Sequence, residues 1–340
     1  MTVLAVAKQH LDDSKPDAWW SLIDPKLLTI LGWDEEQVLS FPQDDPMLGW
    51  TTCKVTGCPR DGRVQSGLCG SCAAQWRGIG SPPLEKFLEN AAPCVSTVGF
   101  GPCAVKDCQR PWKSASMRLC DAHHLQRMRL PQASVEDFLA HPGIVPHLAF
   151  GPCDVLACTR DREGNGSYCK AHRQRLDALS RREPRIDLNT WSRRESAIPE
   201  LGKASLRGLP SSLIAEVIFG IQERAQKGSR VHYFEVRVLC DKARLHDAAS
   251  LTDIPPGVLS VAQGKLCSSF LKAARRARST PETERHKDIW DLAVFGQGGT
   301  LSFTNISQPW LKEAAKRWVL EDLPQRRGLQ VPGVNTVNLV

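Results

Sequence analysis

Cys53-Lys-Val-Thr-Gly-Cys58-Pro-Arg60 … Leu68-Cys69-Gly-Ser-Cys72 is the first of three copies of one pattern set fifty residues apart. The second copy is Cys103-x4-Cys108-x11-Cys120-x2-His123, and the third is Cys153-x4-Cys158-x10-Cys169-x2-His172. Each offers four soft or borderline ligands as two close pairs separated by a short excursion. That arrangement lets thiolates and an imidazole fill every position around a tetrahedral structural Zn2+. The copies agree beyond the ligands. A valine follows each first Cys by two residues (Val55, Val105, Val155), and an arginine follows each second Cys by two (Arg60, Arg110, Arg160). Copies two and three share a Phe-Gly-Pro lead-in at Phe100 and Phe150. Three structural zinc ions per chain are expected.

Disulfides would need an oxidising compartment. The N-terminus MTVLAVAKQHLDD offers only a short apolar stretch followed by acids, and lacks the basic start, the full apolar h-region and the small-residue cleavage site of a secretory signal. No run approaches eighteen apolar residues, so no membrane span is expected, and the chain reads as cytoplasmic. Of the thirteen cysteines, Cys94, Cys240 and Cys267 fall outside the repeats and read as ordinary, partly buried thiols.

At 340 residues the chain suits two or three domains of mainly α structure. Residues 1–49 hold three lysines, no arginine and nine acids, and form an acidic segment with helical patches at Trp19–Leu28 and Glu35–Leu39. Residues 50–180 hold the three zinc-knuckle repeats. Each of the first two is followed by a short helix, Leu84–Leu88 (LEKFL) and Val135–Leu139 (VEDFL), too short to stand unless packed on its module. Fixed-period repetition implies stacked, similar units. Residues 181–204 form a basic linker, 205–325 an all-α helical domain, and 326–340 a disordered tail. In the helical domain Leu213, Ile214, Val217, Ile218 and Ile221 recur at helical spacing, then Val231, Phe234, Val238 and Leu239, then Leu266, Phe270 and Leu271. Ser307 is expected to cap a last helix with Pro309 in its first turn. That helix would turn Trp310, Leu311, Ala314, Ala315, Trp318 and Val319 inward and Lys312, Lys316 and Arg317 outward.

The net charge is +7 at pH 7, with the basic excess after residue 50, and this favours a polyanionic partner. The last ligand pair of each copy should open a helix whose basic residues, Arg77, Arg127, Arg129, Arg173 and Arg175, meet phosphates of duplex DNA. Arg60, Arg110 and Arg160 would add one contact per module, and Lys272, Arg275 and Arg276 a cluster in the helical domain. The competing reading is a zinc-stapled protein-interaction or regulatory module with no nucleic-acid role. Catalysis is not expected. The zinc sets are fully ligated, leaving no open position. An HNH-type nuclease motif beginning at Asp121-Ala-His123-His124 has no suitably spaced downstream Asn and His. His-x-x-Arg occurs at His124–Arg127 and His172–Arg175, but inside zinc modules. Only Tyr168 and Tyr233 are present as tyrosines, neither in the last hundred residues.

Trp290-Asp-Leu-Ala-Val-Phe-Gly…Leu301-Ser-Phe-Thr-Asn-Ile-Ser-Gln-Pro-Trp-Leu-Lys-Glu-Ala-Ala-Lys-Arg-Trp318 resembles the N-terminal half of a family of large bacterial site-specific integrases, as do the three zinc copies and Leu206-Arg-Gly-Leu-Pro210. These are tyrosine recombinases with an N-terminal zinc-finger region ahead of core-binding and catalytic domains. The resemblance runs from about residue 20 to about residue 328 and implies DNA integration and recombination as the process. Beyond Arg326-Arg327-Gly328 the family continues, whereas this chain ends in LQVPGVNTVNLV, which reads as a truncation or frame change. The chain is expected to act by occupying a recombination site or by pairing with a complete recombinase.

Overall fold

A computed structural model of the protein describes residues 19–62, 66–94, 103–112, 117–130, 134–295 and 298–322. The tail expected over 326–340 lies outside the described residues. The architecture is mainly α, with three cysteine-rich clusters strung between the two parts of one helical body.

That body begins before the zinc repeats. Asp24 caps α1 (Pro25–Ile30), its side chain accepting from the Lys26 amide, with Pro25 at the first helical position. The stretch expected as a helix over Glu35–Leu39 is instead a turn leading into β1 (Val38–Ser40), because Gln37 adopts a left-handed φ of 56° that no helix tolerates. β1 pairs antiparallel with β2 (Lys203–Ser205), Val38 opposite Ser205 and Ser40 opposite Lys203. The chain thus leaves the body after β1, builds all three zinc modules, and returns beside its point of departure.

Between the modules' ligand pairs and their exits lie α2 (Gly70–Gly78), α3 (Leu84–Asn90), α4 (Asp121–Arg129), α5 (Val135–Ala140) and α6 (Lys170–Ser180). α7 (Leu188–Arg194), capped by Asp187, occupies what the sequence suggests is a plain linker. Arg194 bonds Asp247, tying α7 to the body.

The core of the body is formed by α8 (Ser211–Gln226), α9 (Tyr233–Leu245) and α10 (Val261–Arg278), together with Trp19, Ile23, Leu27, Leu31, Leu39, Phe41 and Leu48 from ahead of the repeats. The acidic N-terminal segment is therefore a wall of this body. Its apolar residues are too few to close a core alone, and they cover α8, which is buried on every side from Leu213 to Gln222. Burial obliges the polar members of α8 to find partners. Glu216 accepts from Ser250 Oγ at 3.0 Å and the Leu251 amide at 2.9 Å, while Gln222 accepts from the Asp24 amide and donates to Leu22 O. Gly220 sits where α8 and α10 touch: a Cβ there would lie 2.3 Å from Phe270 Cγ.

A second, small core follows. After α11 (Pro281–Glu284), β3 (Ile289–Asp291) and β4 (Thr300–Ser302) form a hairpin that buries Trp290 and Phe303 beneath Val319 of α12 (Pro309–Asp322). Pro309 is the first helical residue, so Gln308 rather than Ser307 stands at the cap, its carbonyl accepting from Lys312 N. The inward face also differs from the expectation. Trp310 and Trp318 are 69% and 57% exposed and Ala314 is exposed, whereas Lys316 is only 4% exposed. The hairpin sets this rotation. Asp288 accepts from both Lys312 and Lys316 at 2.7 and 3.1 Å, and the Lys316 ammonium stands over the Phe303 ring, 5.9 Å from its centre.

Gly220→Ala should destabilise the body. Forcing a methyl group against Phe270 costs about 1–3 kcal/mol, more than the gain of roughly 1 kcal/mol that alanine brings to a helix interior. Urea unfolding followed by circular dichroism checks the sign, and a stabilised variant would contradict this packing.

Candidate metal centres

Each module opens on a turn whose closure explains the repeated valine and arginine. The amide of the second Cys bonds the valine carbonyl: Cys58 to Val55 at 3.0 Å, Cys108 to Val105 at 3.1 Å, Cys158 to Val155 at 2.9 Å. The amide of the first Cys bonds the arginine carbonyl: Cys53 to Arg60, Cys103 to Arg110, Cys153 to Arg160. The valine side chains are buried beside the ligands. The third ligand of each copy, Cys69, Cys120 or Cys169, stands at the N-cap of α2, α4 or α6, and the fourth lies in the first turn. The helix N-terminus carries partial positive charge, which favours thiolates there.

This geometry gathers Cys53, Cys58, Cys69 and Cys72; Cys103, Cys108, Cys120 and His123; and Cys153, Cys158, Cys169 and His172, all buried and with ligand atoms within 4.8 Å of one another. Sulfur pairs stand 3.8–3.9 Å apart (Cys58–Cys69, Cys58–Cys72, Cys158–Cys169). Sulfur-to-Nδ1 distances are 3.2–3.4 Å at His123 and His172. A tetrahedron with Zn–S near 2.3 Å and Zn–N near 2.0 Å demands about 3.8 Å between sulfurs and about 3.5 Å between sulfur and nitrogen. The spacing is that of a zinc site and far from the bonding distance of a disulfide. These are three structural zinc sites.

The surroundings support the ligands. In every copy the amide of the third Cys donates to the sulfur of the first, at 3.2–3.3 Å. His123 bonds Val145 O through Nε2, and His172 bonds Ser196 O likewise, each at 3.0 Å, which leaves Nδ1 free for the metal. His124, the neighbour of His123, takes no part in the set. Burial raises the pKa of Cys72 and pushes Cys120 up to about 12, while hydrogen bonding to Cys153 and Cys169 raises Cys158. Burial pulls His172 down, but the adjoining Cys153 and Cys169 outweigh it and bring it up to about 9. Such crowded thiols cannot all ionise without a dication to offset their charge. No sulfur pair is bridged, and all cysteines are free.

No protein-family model, no curated protein and no solved structure matches this chain.

One aromatic roofs each site. Phe87 on α3 and Phe138 on α5 are buried against the first and second clusters, Phe138 edge-on to His123. In the third module Trp191 on α7 does the same work, edge-on to Tyr168 and His172 at 5.1 and 6.3 Å. α7 is thus the third copy of the post-module helix. Phe87 and Phe138 follow the fourth ligand by fifteen positions, whereas Trp191 follows His172 by nineteen, and this insertion conceals the repeat.

The arginines divide into two groups. Arg60 donates to Ser71, and Arg110 donates to Leu148 O while stacking on Phe150 at 3.9 Å. Arg127 donates to Met117, Arg173 pairs with Glu163, and Arg175 binds Glu195 and Ser196. Arg160 also has partners, with Glu200 nearby. These side chains hold the modules together. Arg77 and Arg129, at the ends of α2 and α4, are exposed, and their side chains make no bond to any described residue. Arg207 bonds Cys158 O, Leu156 N bonds Ser192 O and Thr159 bonds Glu200, so the third module is fastened directly to the body.

Native mass spectrometry of reduced, zinc-replete protein should find three zinc ions per chain. Cys108→Ser should reduce this to two and melt only the second module, because a structural site contributes roughly 10–16 kcal/mol apparent in small peptides. Cys158→Ser should in addition loosen α7. Retention of three ions in either variant would contradict the ligand sets.

Proposed function

We propose that the protein is a zinc-stabilised binder of duplex DNA, acting in the cytoplasm in DNA integration or recombination. The observation that carries this reading is the outer face of α10. Its eighteen residues span about 27 Å at 1.5 Å per residue and contain no acid. Lys265, Ser268, Lys272 and Arg275 follow one another at spacings of three and four and are all exposed, so they form one solvent-facing stripe. The side chains of Lys265, Lys272 and Arg275 make no hydrogen bond or ion pair to any described residue. By contrast, Arg276 binds Asp291, and Arg278 stacks over Trp19 at 4.9 Å. A helix of this diameter suits a major groove about 12 Å wide. Arg77 and Arg129 extend the set of unengaged cations onto the modules.

No reaction is assigned to the chain. Each zinc set is closed by four protein ligands, and both tyrosines are engaged in packing: Tyr168 against Trp191, and buried Tyr233 against Phe41. In this reading a complete recombinase supplies catalysis, and the present chain occupies or presents the DNA site. Trp310 and Trp318, standing in solvent on α12, favour a second reading as a protein-interaction module.

Binding to duplex DNA should weaken steeply with salt, by about 0.9 log units per log unit of salt for each phosphate neutralised. The Lys265→Ala, Lys272→Ala, Arg275→Ala triple variant should lose most of that slope while keeping three zinc ions. Arg60→Ala should instead destabilise the first module. Fluorescence anisotropy across a salt series decides between the readings, since salt-independent or absent binding by the unmodified chain favours the protein-interaction module.

A further inference from the structure

The first zinc site differs from the other two in holding a fifth sulfur. Cys94 Sγ lies 3.5 Å from Cys72 Sγ, with Gln75 Nε2 3.8 Å from Cys94 Sγ on its other side. Cys94 follows Cys72 by twenty-two positions, as Val145 follows His123. Thus, where the second and third sites place a backbone carbonyl against the outer nitrogen of the histidine, the first site places a thiol against the outer side of the cysteine. The remaining cysteines outside the ligand sets, Cys240 and Cys267, are buried in the body, and Cys267 lies against Leu251 O. Cys72 is fully buried, whereas Cys94 is half-buried and sits in an irregular stretch after α3.

We propose that Cys94 and Cys72 form a thiol pair through which a hydroperoxide opens the first zinc site and leaves the other two closed. Cys94 is reachable from solvent and is not a ligand, so its sulfur meets the oxidant first. Its lone pair attacks one peroxide oxygen, the O–O bond breaks, and water leaves, producing a sulfenic acid on Cys94. The Cys72 sulfur then attacks the Cys94 sulfur. A sulfur–sulfur bond forms, the S–O bond breaks, and the departing hydroxide takes up a proton to become a second water. Two electrons pass from the two sulfurs to one hydrogen peroxide. The sulfurs must close from 3.5 Å to about 2.05 Å, which rotation of the two side chains can supply. Cys72 is then lost as a ligand, and Cys53, Cys58 and Cys69 alone no longer enclose the metal. The second and third sites have no fifth thiol among the described residues, and each has one sulfur fewer in its set.

The test treats the full-length, zinc-loaded chain with a stoichiometric amount of hydrogen peroxide. Released zinc is followed with a chromogenic chelator, and disulfides are mapped by peptide mass spectrometry. One zinc of the three should leave in a fast phase, together with a Cys72–Cys94 peptide pair, and a dithiol reductant with added zinc should restore the site. Cys94→Ser lies outside the ligand set and should bind three zinc ions but lose the fast phase. The proposal is overturned if Cys94→Ser releases its first zinc as fast as the unmodified chain. It is likewise overturned if the unmodified chain releases none, or if the first disulfide joins Cys72 to a residue of its own ligand set.

Discussion

The sharing of one dication by four crowded thiolate and imidazole groups is what the modules rest on. Each has a buried cluster of six to eight residues, and the ligand sulfurs themselves make up three or four of them. Such a cluster is far below the size at which apolar burial alone outweighs the ordering of a chain. The rest of each module is arranged around making the coordination sphere rigid. The valine carbonyl closes the first turn, a helix N-terminus presents the second ligand pair, and one aromatic side chain seals the outer face. Even the repeated arginine contributes mainly through its backbone, by accepting from the amide of the first ligand.

The modules are not beads on a free string. The third is bonded to the body through Arg207, Glu200 and α7, and it meets the body beside β2. The strand pair β1–β2 fixes where the excursion starts and where it ends. In the body, α8 is enclosed from all sides, partly by residues ahead of the zinc repeats; its buried Gln222 holds that distant segment through Leu22 and Asp24, while its buried Glu216 holds the turn at Ser250 and Leu251.

Much of the metal chemistry was legible in the sequence, because ligand spacing, turn length and helix start are all local. The twelve ligands, the helices opened by the third ligand of each copy, and the helical stripes of α8 and α10 follow from such local rules. What depends on distant partners was not legible. β1 is three residues long, shows no alternation, and finds its partner only beyond all three repeats. Apolar residues, from Trp310 and Leu311 through Ala314, Ala315 and Trp318 to Val319 and Leu320, spread over more than half the circumference of α12, so hydrophobicity could not choose its buried face; Asp288 chose it by binding Lys312 and Lys316. α7 escaped notice because its aromatic is displaced by four positions, and Cys94 because a thiol outside a pattern carries no signal until its neighbour is known.

The pairing of Val38 with Ser205 also imposes an order on the birth of the molecule. A chain emerging from the ribosome exposes Trp19, Leu27, Leu31 and Leu39 long before α8 exists to cover them, whereas each zinc module is complete as soon as its own roofing helix has emerged. The segment ahead of the repeats thus waits with apolar residues bare while three metal-bound units mature downstream. Closing so distant a contact is slow in a flexible chain. Here the intervening stretch has already been shortened into three compact bodies by the time the second strand arrives. Zinc supply during synthesis therefore governs more than the modules it fills, because it sets how far the two edges of the body must search for each other.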